Sequence, residues 1–362
     1  MSEPSAQHIM TVRGPVPSEE VGRTSMHEHA FWDCRKPWWT PEPFEHPELT
    51  NQPLTVENSA IARWNALAIR DNLFVGAEDF DERVGELSHF VAAGGSCIVD
   101  LTCEGIGPYP DLLRRVSETI GMHIVAGAGF YVHASHPPWL ESASVSEVAA
   151  AIYNQVTSGI GNTAVLPGII GEIGTSVDFP PCERTVVKAA ARVAARTGTA
   201  MNVHTTAPSR HAETIIDLCV TEGLAPERLV FSHLDEVPDP SYHCRVLSSG
   251  ASIGFDSFGT DFRFGDLWKS PGDTEKMELL LTDLELGYED QLVMGHDVSL
   301  KASLKRFGGL GYDHILRRIV PALVRIYHID DGTMDKLLVH NPRRLLARPA
   351  LAALPTPEPS SA

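Results

Sequence analysis

Basic residues are scarce in this sequence of 362 residues. It has 29 Lys and Arg against 47 Asp and Glu, which gives a formal net charge of -18, and no run of five basic residues occurs. Nucleic acids and anionic membranes are bound through basic patches, so we expect neither as a partner. A small molecule is the partner that the composition favours.

Long apolar runs are also missing. No stretch is long enough to cross a bilayer as a helix, and residues 2–8 lack the basic and then apolar order of a secretory signal. The six cysteines are scattered and form no CxxC pair, which favours reduced thiols in a reducing compartment. We therefore expect a cytoplasmic protein.

Short apolar runs, in contrast, recur along the whole chain. They are near-continuous, as in strands covered by helices, and occupy residues 24–31, 96–102, 123–131, 168–174, 200–206, 229–234, 251–258 and 291–298. Helical periodicity separates them, at residues 81–93, 111–120, 145–158, 183–196, 211–222, 274–284 and 315–327.

This alternation predicts an α/β fold, a (β/α)8 TIM barrel in a single domain. An open doubly wound sheet is the alternative, but ligand-type residues on several of the eight strands favour closure. We assign the barrel to residues 1–348. The Pro-, Ala- and Ser-rich residues 349–362 are predicted to be a disordered tail.

Two histidines of the first predicted strand are spaced for chelation. His27 and His29 are two residues apart, so their side chains project from the same face of a strand and can bind one ion. An isolated HxH has a second interpretation, in which one histidine is buried and the other is on the surface.

Four further residues support the metal interpretation. Glu172 lies inside the apolar run GIIGEIG, where a carboxylate is costly to bury unless it is paired or bound to metal. His204, His233 and Asp297 lie near the carboxyl ends of three later strands, the face on which barrels build their active sites. Singly, each could be a hydrogen-bonded core histidine or a helix-capping acid.

Together these residues exceed what one catalytic zinc ion requires. We therefore predict two divalent ions and no organic cofactor, with zinc preferred and manganese, cobalt or iron compatible. One ion is assigned to His27, His29 and Asp297, and the other to His204 and His233. Glu172 is predicted to bridge the two ions, and Asp297 to act also as the general base.

Several segments resemble the phosphotriesterase-related family of the amidohydrolase superfamily. The opening TVRGPVPSEEVGRTSMHEH is followed in family order by GIIGEIGTS, NVHTT, FSHLDE, GHDVSLK and LLVHNPRRLL, so the resemblance covers residues 10–346. It implies a barrel with a binuclear site, hydrolysis of an ester-like bond and a homodimer.

The sequence departs from the best-known branches of that family at two places. Glu172 stands on the strand where one branch has a carbamylated lysine, so the chain resembles the glutamate-bridged branch. Residues 234–240 lack the glycine- and aspartate-rich pattern of the lactonase branch, which argues against a direct transfer of quorum-signal lactonase activity.

Two residues outside the ligand set are assigned further roles. By resemblance to lactonase-like relatives, the Tyr131 hydroxyl is expected to contact the bridging hydroxide or to polarise a carbonyl. Asp235 is expected to orient a ligand histidine through a hydrogen bond. Aromatic residues on predicted loops indicate either an apolar substrate pocket or packing of the loops on the barrel rim, namely Trp32, Trp38, Trp39, Phe44 and Trp268.

The leading hypothesis is a hydrolase that attacks a lactone or carboxylic ester carbonyl with a metal-bridging hydroxide. The first alternative keeps the site but changes the bond to an amide, in an N-acyl amino acid or acyl-taurine-like compound, or to a phosphotriester. A barrel that binds a ligand without catalysis is the most distant alternative.

Overall fold

Eight parallel strands form the centre of the fold. The computed structural model describes residues 7–38 and 46–348, and its main sheet contains β1 Thr24–Glu28, β2 Cys97–Asp100, β3 His123–Ala128, β4 Ile169–Thr175, β5 Met201–Thr205, β6 Leu229–Ser232, β7 Ser252–Phe255 and β8 Leu292–Met294. Each strand pairs in parallel with the next one along the chain. The predicted (β/α)8 barrel is therefore confirmed, because a doubly wound sheet would reverse its strand order. The predicted tail, residues 349–362, lies outside the described residues, as do Trp39 and Phe44.

The barrel closes where the segment after β8 meets β1. The backbone N–H groups of His296 and Asp297 donate to the His27 carbonyl oxygen at 3.3 and 3.1 Å. Gly295 permits this approach, because a Cβ there would lie 2.9 Å from the His27 nitrogen and 3.0 Å from its carbonyl oxygen. Closure thus brings the two ends of the sheet together at two predicted metal ligands.

Helices cover the outside of the barrel. Seven of them follow β1 to β7: α1 Phe80–Ala92, α2 Pro110–Ile120, α3 Val145–Ser158, α4 Pro181–Thr197, α5 Ala212–Thr221, α6 Pro240–Ser248 and α7 Asp273–Glu285. The sequence pattern indicates all of these except α6. That helix begins at Pro240 and is capped by Asp239, whose carboxylate accepts from the Ser241 and Tyr242 backbone N–H groups.

The region after β8 is less regular than predicted. Residues 315–327 are expected as one helix, but a π-helix, Ile315–Ile319, precedes the α-helix Val320–Arg325. Helix Asp331–Asp335, π-helix Lys336–His340 and helix Asn341–Leu346 follow. Pro321 and Pro342 stand at the two π-to-α junctions, where the missing proline N–H interrupts the regular hydrogen-bond ladder. No helix within residues 7–38 and 46–348 has both the length and the apolar composition that a bilayer crossing requires.

Short elements close the two ends of the barrel. Strands His8–Thr11, Gly14–Pro17 and Ala347–Arg348 form a small antiparallel sheet. The described part of the segment between β1 and α1 contains strand Trp32–Asp33, paired with Phe74–Val75, the helices Arg35–Trp38 and Ser59–Trp64, and the 3-10 helix Pro47–Leu49. A second ribbon, Arg263–Phe264 with Trp268–Lys269, follows β7.

Successive strand residues belong to two different clusters of buried apolar side chains. Val230 and Val293 belong to the smaller cluster, whereas their neighbours Phe231 and Met294 belong to the larger one, which also contains residues of the covering helices α1 to α7. Side chains alternate between the two faces of a strand, so the smaller cluster fills the barrel interior. The interior face of β6 then continues from Val230 to Ser232, beside the predicted metal ligands.

Gly295→Ala tests whether barrel closure depends on the missing side chain. We expect a loss of about 1–3 kcal/mol in the free energy of unfolding, because the new methyl group would push β8 away from β1. Urea denaturation measures this effect. Gly85→Ala in α1 is the control: it is exposed, its Cβ meets nothing within 4 Å, and alanine should be neutral or slightly stabilising there. Equal stability of the two variants would contradict the closure argument.

Candidate metal centre

The fold brings all six predicted metal ligands together. Five lie at or just beyond the carboxyl ends of strands, and Glu172 lies in the middle of β4. The Glu172 carboxylate is 3.1 Å from His204 Nδ1, 3.4 Å from His29 Nε2 and 3.7 Å from His27 Nε2. On the other side of the cluster, Asp297 Oδ1 lies 3.1 Å from His29 Nε2.

Each histidine presents one ring nitrogen to the cluster and holds the other outside it. His27 and His233 direct Nδ1 to Asp256, at 3.1 and 3.0 Å. His29 Nδ1 is 2.9 Å from the Thr102 hydroxyl, and His204 Nε2 is 3.0 Å from the Thr206 hydroxyl. Outer bonds of this kind set the tautomer and orient the inner nitrogen of a metal-binding histidine.

Asp256 has a role that the sequence analysis does not assign to it. It follows β7, is buried, and contacts His27 and His233 with separate carboxylate oxygens, while also accepting from the His233 backbone N–H at 2.9 Å. In the sequence, Asp256 has the feature that identifies Asp297, namely an acidic residue at the end of an apolar strand. One carboxylate thereby positions a histidine from each of two strands.

Asp235, which is predicted to orient a ligand histidine, contacts Ser257 instead. Its Oδ2 accepts from the backbone N–H and the hydroxyl of Ser257, and it makes no hydrogen bond with a histidine among the described residues. Burial, with the charge of Asp256 as the next cause, raises the pKa of Asp235 to about 7. Asp235 therefore fixes the loop after β7, whereas Asp256 contacts the histidines.

The electrostatics of the cluster favour ionised carboxylates. Burial by itself would raise the pKa of Glu172, but the surrounding imidazoles, His27 first, hold that pKa well below its usual range. Burial would lower the pKa of His27, yet Glu172 and Asp256 together raise it to about 10. Glu172 and His27 therefore stabilise each other's charged forms.

This donor set suits divalent metal ions. Two groups have their ligand atoms within 4.8 Å of one another: His27, His29 and Asp297 form one, and His27, Glu172 and His233 form the other. The first coincides with a predicted site. In the second, His27 replaces the predicted His204, which instead contacts Glu172 directly. Imidazole and carboxylate donors at this spacing fit zinc and similar ions.

Tyr131 lies beside the cluster, at the edge of the pocket. Its hydroxyl is 3.4 Å from the His204 ring nitrogens and accepts a hydrogen bond from the Trp38 indole at 3.2 Å. Burial, reinforced by Glu172, raises the pKa of Tyr131 well above its ordinary value, so the phenol is neutral. The Tyr131 oxygen accepts this hydrogen bond from Trp38. The hydroxyl can still donate its own proton to another acceptor.

A pocket of about 690 Å³, including its open mouth, leads to the cluster. Its wall is largely apolar and includes Trp38, Leu67, Leu73, Ile106, Phe264 and Trp268. The predicted pocket aromatics Trp38 and Trp268 thus line it, with ring centroids 6.0 Å apart, whereas Trp32 is fully buried. Among the described lining residues none is Lys or Arg, and Glu236 is the only acid besides Glu172 and Asp297.

The geometry agrees with the comparison to known proteins. The model of the phosphotriesterase family matches residues 7–346, nearly the whole chain. The chain belongs to this family. Its members are binuclear metal-dependent hydrolases, so the convergent histidines and carboxylates have the expected setting in this phosphotriesterase-family protein.

Similar proteins of the family carry several names. The N-acetyltaurine hydrolase of Xenopus tropicalis is 32% identical over 348 residues, covering 93% of this chain and 97% of the relative. The crystal structure of a resiniferatoxin-binding protein from Rhodobacter sphaeroides is 36% identical, with a TM-score of 0.90 and 94% of each chain covered. An organophosphorus hydrolase from Deinococcus radiodurans is 28% identical, with a TM-score of 0.73 and coverage of 95% of this chain and 98% of that chain.

Asp256→Asn tests the positioning role in this phosphotriesterase-family hydrolase. An amide cannot accept from both histidines, so we expect metal affinity to fall by about 10–100-fold. Metal content after dialysis against a graded chelator measures this change. Asp235→Asn is the matched control, since it alters a buried neighbouring acid that contacts Ser257. Loss of metal in the control, with full retention in Asp256→Asn, would reverse the assignment.

Proposed function

We propose that this enzyme hydrolyses an uncharged carboxylic ester or lactone that carries an apolar group beside the carbonyl. The observation that carries this proposal is the combination of a six-donor metal cluster with a largely apolar pocket whose described lining contains no Lys or Arg. A buried apolar wall favours an uncharged substrate, since burial of a charge without a partner is costly.

The six predicted ligands are assigned to a pair of divalent ions, with zinc as the preferred metal. When bound, such a pair supplies an activated water and a Lewis acid for the substrate carbonyl. Glu172 is proposed as the shared ligand, because its two oxygens face histidines from β5 and from the β1 segment. The outer bonds to Asp256, Thr102 and Thr206 keep the imidazole nitrogens in place.

Asp297 is proposed as the general base. Its side chain is 23% exposed, whereas that of Glu172 is 2% exposed, so Asp297 is the more accessible of the two predicted carboxylate ligands. The His29 imidazole keeps the pKa of Asp297 below its ordinary value despite burial. An ionised carboxylate in this place can accept a proton from the attacking water and pass it to the leaving alkoxide.

Tyr131 is proposed to stabilise the carbonyl oxygen of the substrate. Its proton is available because the Trp38 indole already donates to its oxygen. A neutral phenol that donates to a developing oxyanion lowers the barrier for attack on a carbonyl.

Amide hydrolysis is the second candidate function. It is supported by relatives named N-acetyltaurine hydrolase, at 32% identity over nearly the full length of both chains. An anionic group at the far end of such a substrate would, however, meet Glu236 and apolar side chains in this pocket. This electrostatic mismatch places the neutral ester or lactone first.

Further proposals concern the oligomeric state, the cellular compartment and the extent of the catalytic unit. We propose a homodimer in the cytoplasm, with residues 1–348 as the catalytic unit. Light scattering on the purified chain measures the first of these properties directly.

Asp297→Asn tests the proposed base. We expect kcat for the best ester substrate to fall by roughly 10²–10⁴-fold, because the amide cannot accept the proton. Elemental analysis should still find most of the metal, since five ligands are intact. Asp266→Asn, a fully exposed acid on the loop after β7, is the control. A variant that retains kcat would remove Asp297 from this role.

Substrate charge is tested with a matched pair of aryl esters, one neutral and one carrying a sulfonate. We expect kcat/KM to be at least about tenfold higher for the neutral ester, because the sulfonate would face Glu236 in a medium of low dielectric constant. Glu236→Gln should narrow this gap, and Glu213→Gln, an exposed acid on α5, should not. An acyl-taurine amide turned over faster than every ester and lactone would favour the second candidate instead.

A further inference from the structure

We propose that the chain binds an additional divalent metal ion outside the barrel centre, through His133, Glu141 and Cys182. One ligand atom from each residue lies within 4.8 Å of the others. His133 Nε2 and a Glu141 carboxylate oxygen are 3.0 Å apart. No part of the proposed catalytic mechanism uses these three residues.

The three side chains come from separate segments that the barrel holds at one rim. His133 begins a short turn, His133–Ser135, after β3, and Glu141 belongs to the next turn, Pro138–Ser142. Cys182 is the second residue of α4. The site therefore joins the loop after β3 to the start of the helix after β4.

Hydrogen bonds preorganise this arrangement. Glu183, the neighbour of Cys182, is buried and accepts from the His133 backbone N–H at 2.8 Å with one oxygen. Its other oxygen accepts from the Ser176 backbone N–H at 2.8 Å. The backbone that carries His133 is thus attached to the same helical turn as the thiol, so little ordering is needed for an ion to bind.

The donor chemistry matches zinc and related ions. Imidazole, thiolate and carboxylate are the ligands that zinc accepts, and three protein ligands leave one position for water. His133 and Glu141 are exposed by 46% and 68%, so solvent reaches that position. Burial, and then the charge of Glu141, raise the pKa of the Cys182 thiol. A metal cation between Glu141 and Cys182 would supply positive charge that stabilises the thiolate form of Cys182.

A further imidazole lies on the same turn. The ring of His136 is 5.8 Å from that of His133, and its Nε2 donates to the Tyr131 carbonyl oxygen at 2.8 Å. Its Nδ1 is buried without a hydrogen-bond partner among the described residues. An ion at the rim would therefore bind one short turn away from a residue of the catalytic pocket.

Cobalt provides the test, because a cobalt–thiolate bond gives a charge-transfer band that nitrogen and oxygen ligands do not give. The full-length enzyme is freed of metal with a chelator and then titrated with Co²⁺ alone, so that no other ion competes for the rim ligands. We expect one Co²⁺ per chain beyond those bound at the central site, together with the thiolate band. Cys182→Ser should abolish the band, and Cys244→Ser, on α6 and only partly buried, should retain it.

A second variant guards against misfolding of the first. Glu141 is exposed, so Glu141→Gln should leave the fold and ester hydrolysis unchanged while it weakens Co²⁺ binding by at least about tenfold. Absence of the band in the wild-type protein would overturn the proposal. A thiolate band that persists in Cys182→Ser would also overturn the proposal. It would indicate that Co²⁺ binds to Cys34 in the central pocket.

Discussion

The buried carboxylate of Glu172 is the charge around which the rest of the site is arranged. A carboxylate inside an apolar strand is costly unless positive charge lies next to it. Imidazoles from β5, from the end of β6 and from the β1 segment approach it within 3.1–3.8 Å. The predicted ligands come from both ends of the sheet, β1 and β8, so they surround Glu172 only when the barrel is closed.

Asp256 extends this charge balance by one layer. It contacts His27 and His233 from outside, so two negative groups bracket the same imidazoles. Both carboxylates raise the pKa of His27 to about 10, so a cationic imidazole compensates their negative charge. Divalent cations would supply the same compensation with neutral imidazoles, which is the form that binds metal.

The pocket above the cluster depends on segments that are not part of the barrel itself. Trp38 comes from a short helix after β1 and Trp268 from a two-stranded ribbon after β7. Their ring centroids lie 6.0 Å apart, and both side chains line the pocket. Specificity therefore resides in loops carried by a scaffold that is common to many chemistries.

Much of this architecture could be predicted from the sequence. Eight apolar runs predict the strands, and six residues are predicted as metal ligands, because strand burial and metal chelation both demand particular residue types at regular positions. Helix α6 has only nine residues and begins at a proline capped by Asp239, so it is too short for helical periodicity to indicate it. Pro321, inside the predicted helix 315–327, and Pro342 each indicate an interruption, but a missing N–H does not distinguish a π-helix from a kink.

The sequence by itself determined the barrel, the type of metal ligands and the family, since these depend on local residue types and their order. Only the tertiary structure decided that Asp256, and not Asp235, contacts the histidines, because that choice depends on how β6 and β7 lie side by side. It also decided that His133, Glu141 and Cys182 meet at one rim. Contacts between residues distant in sequence follow from strand register and loop packing, which no local pattern encodes.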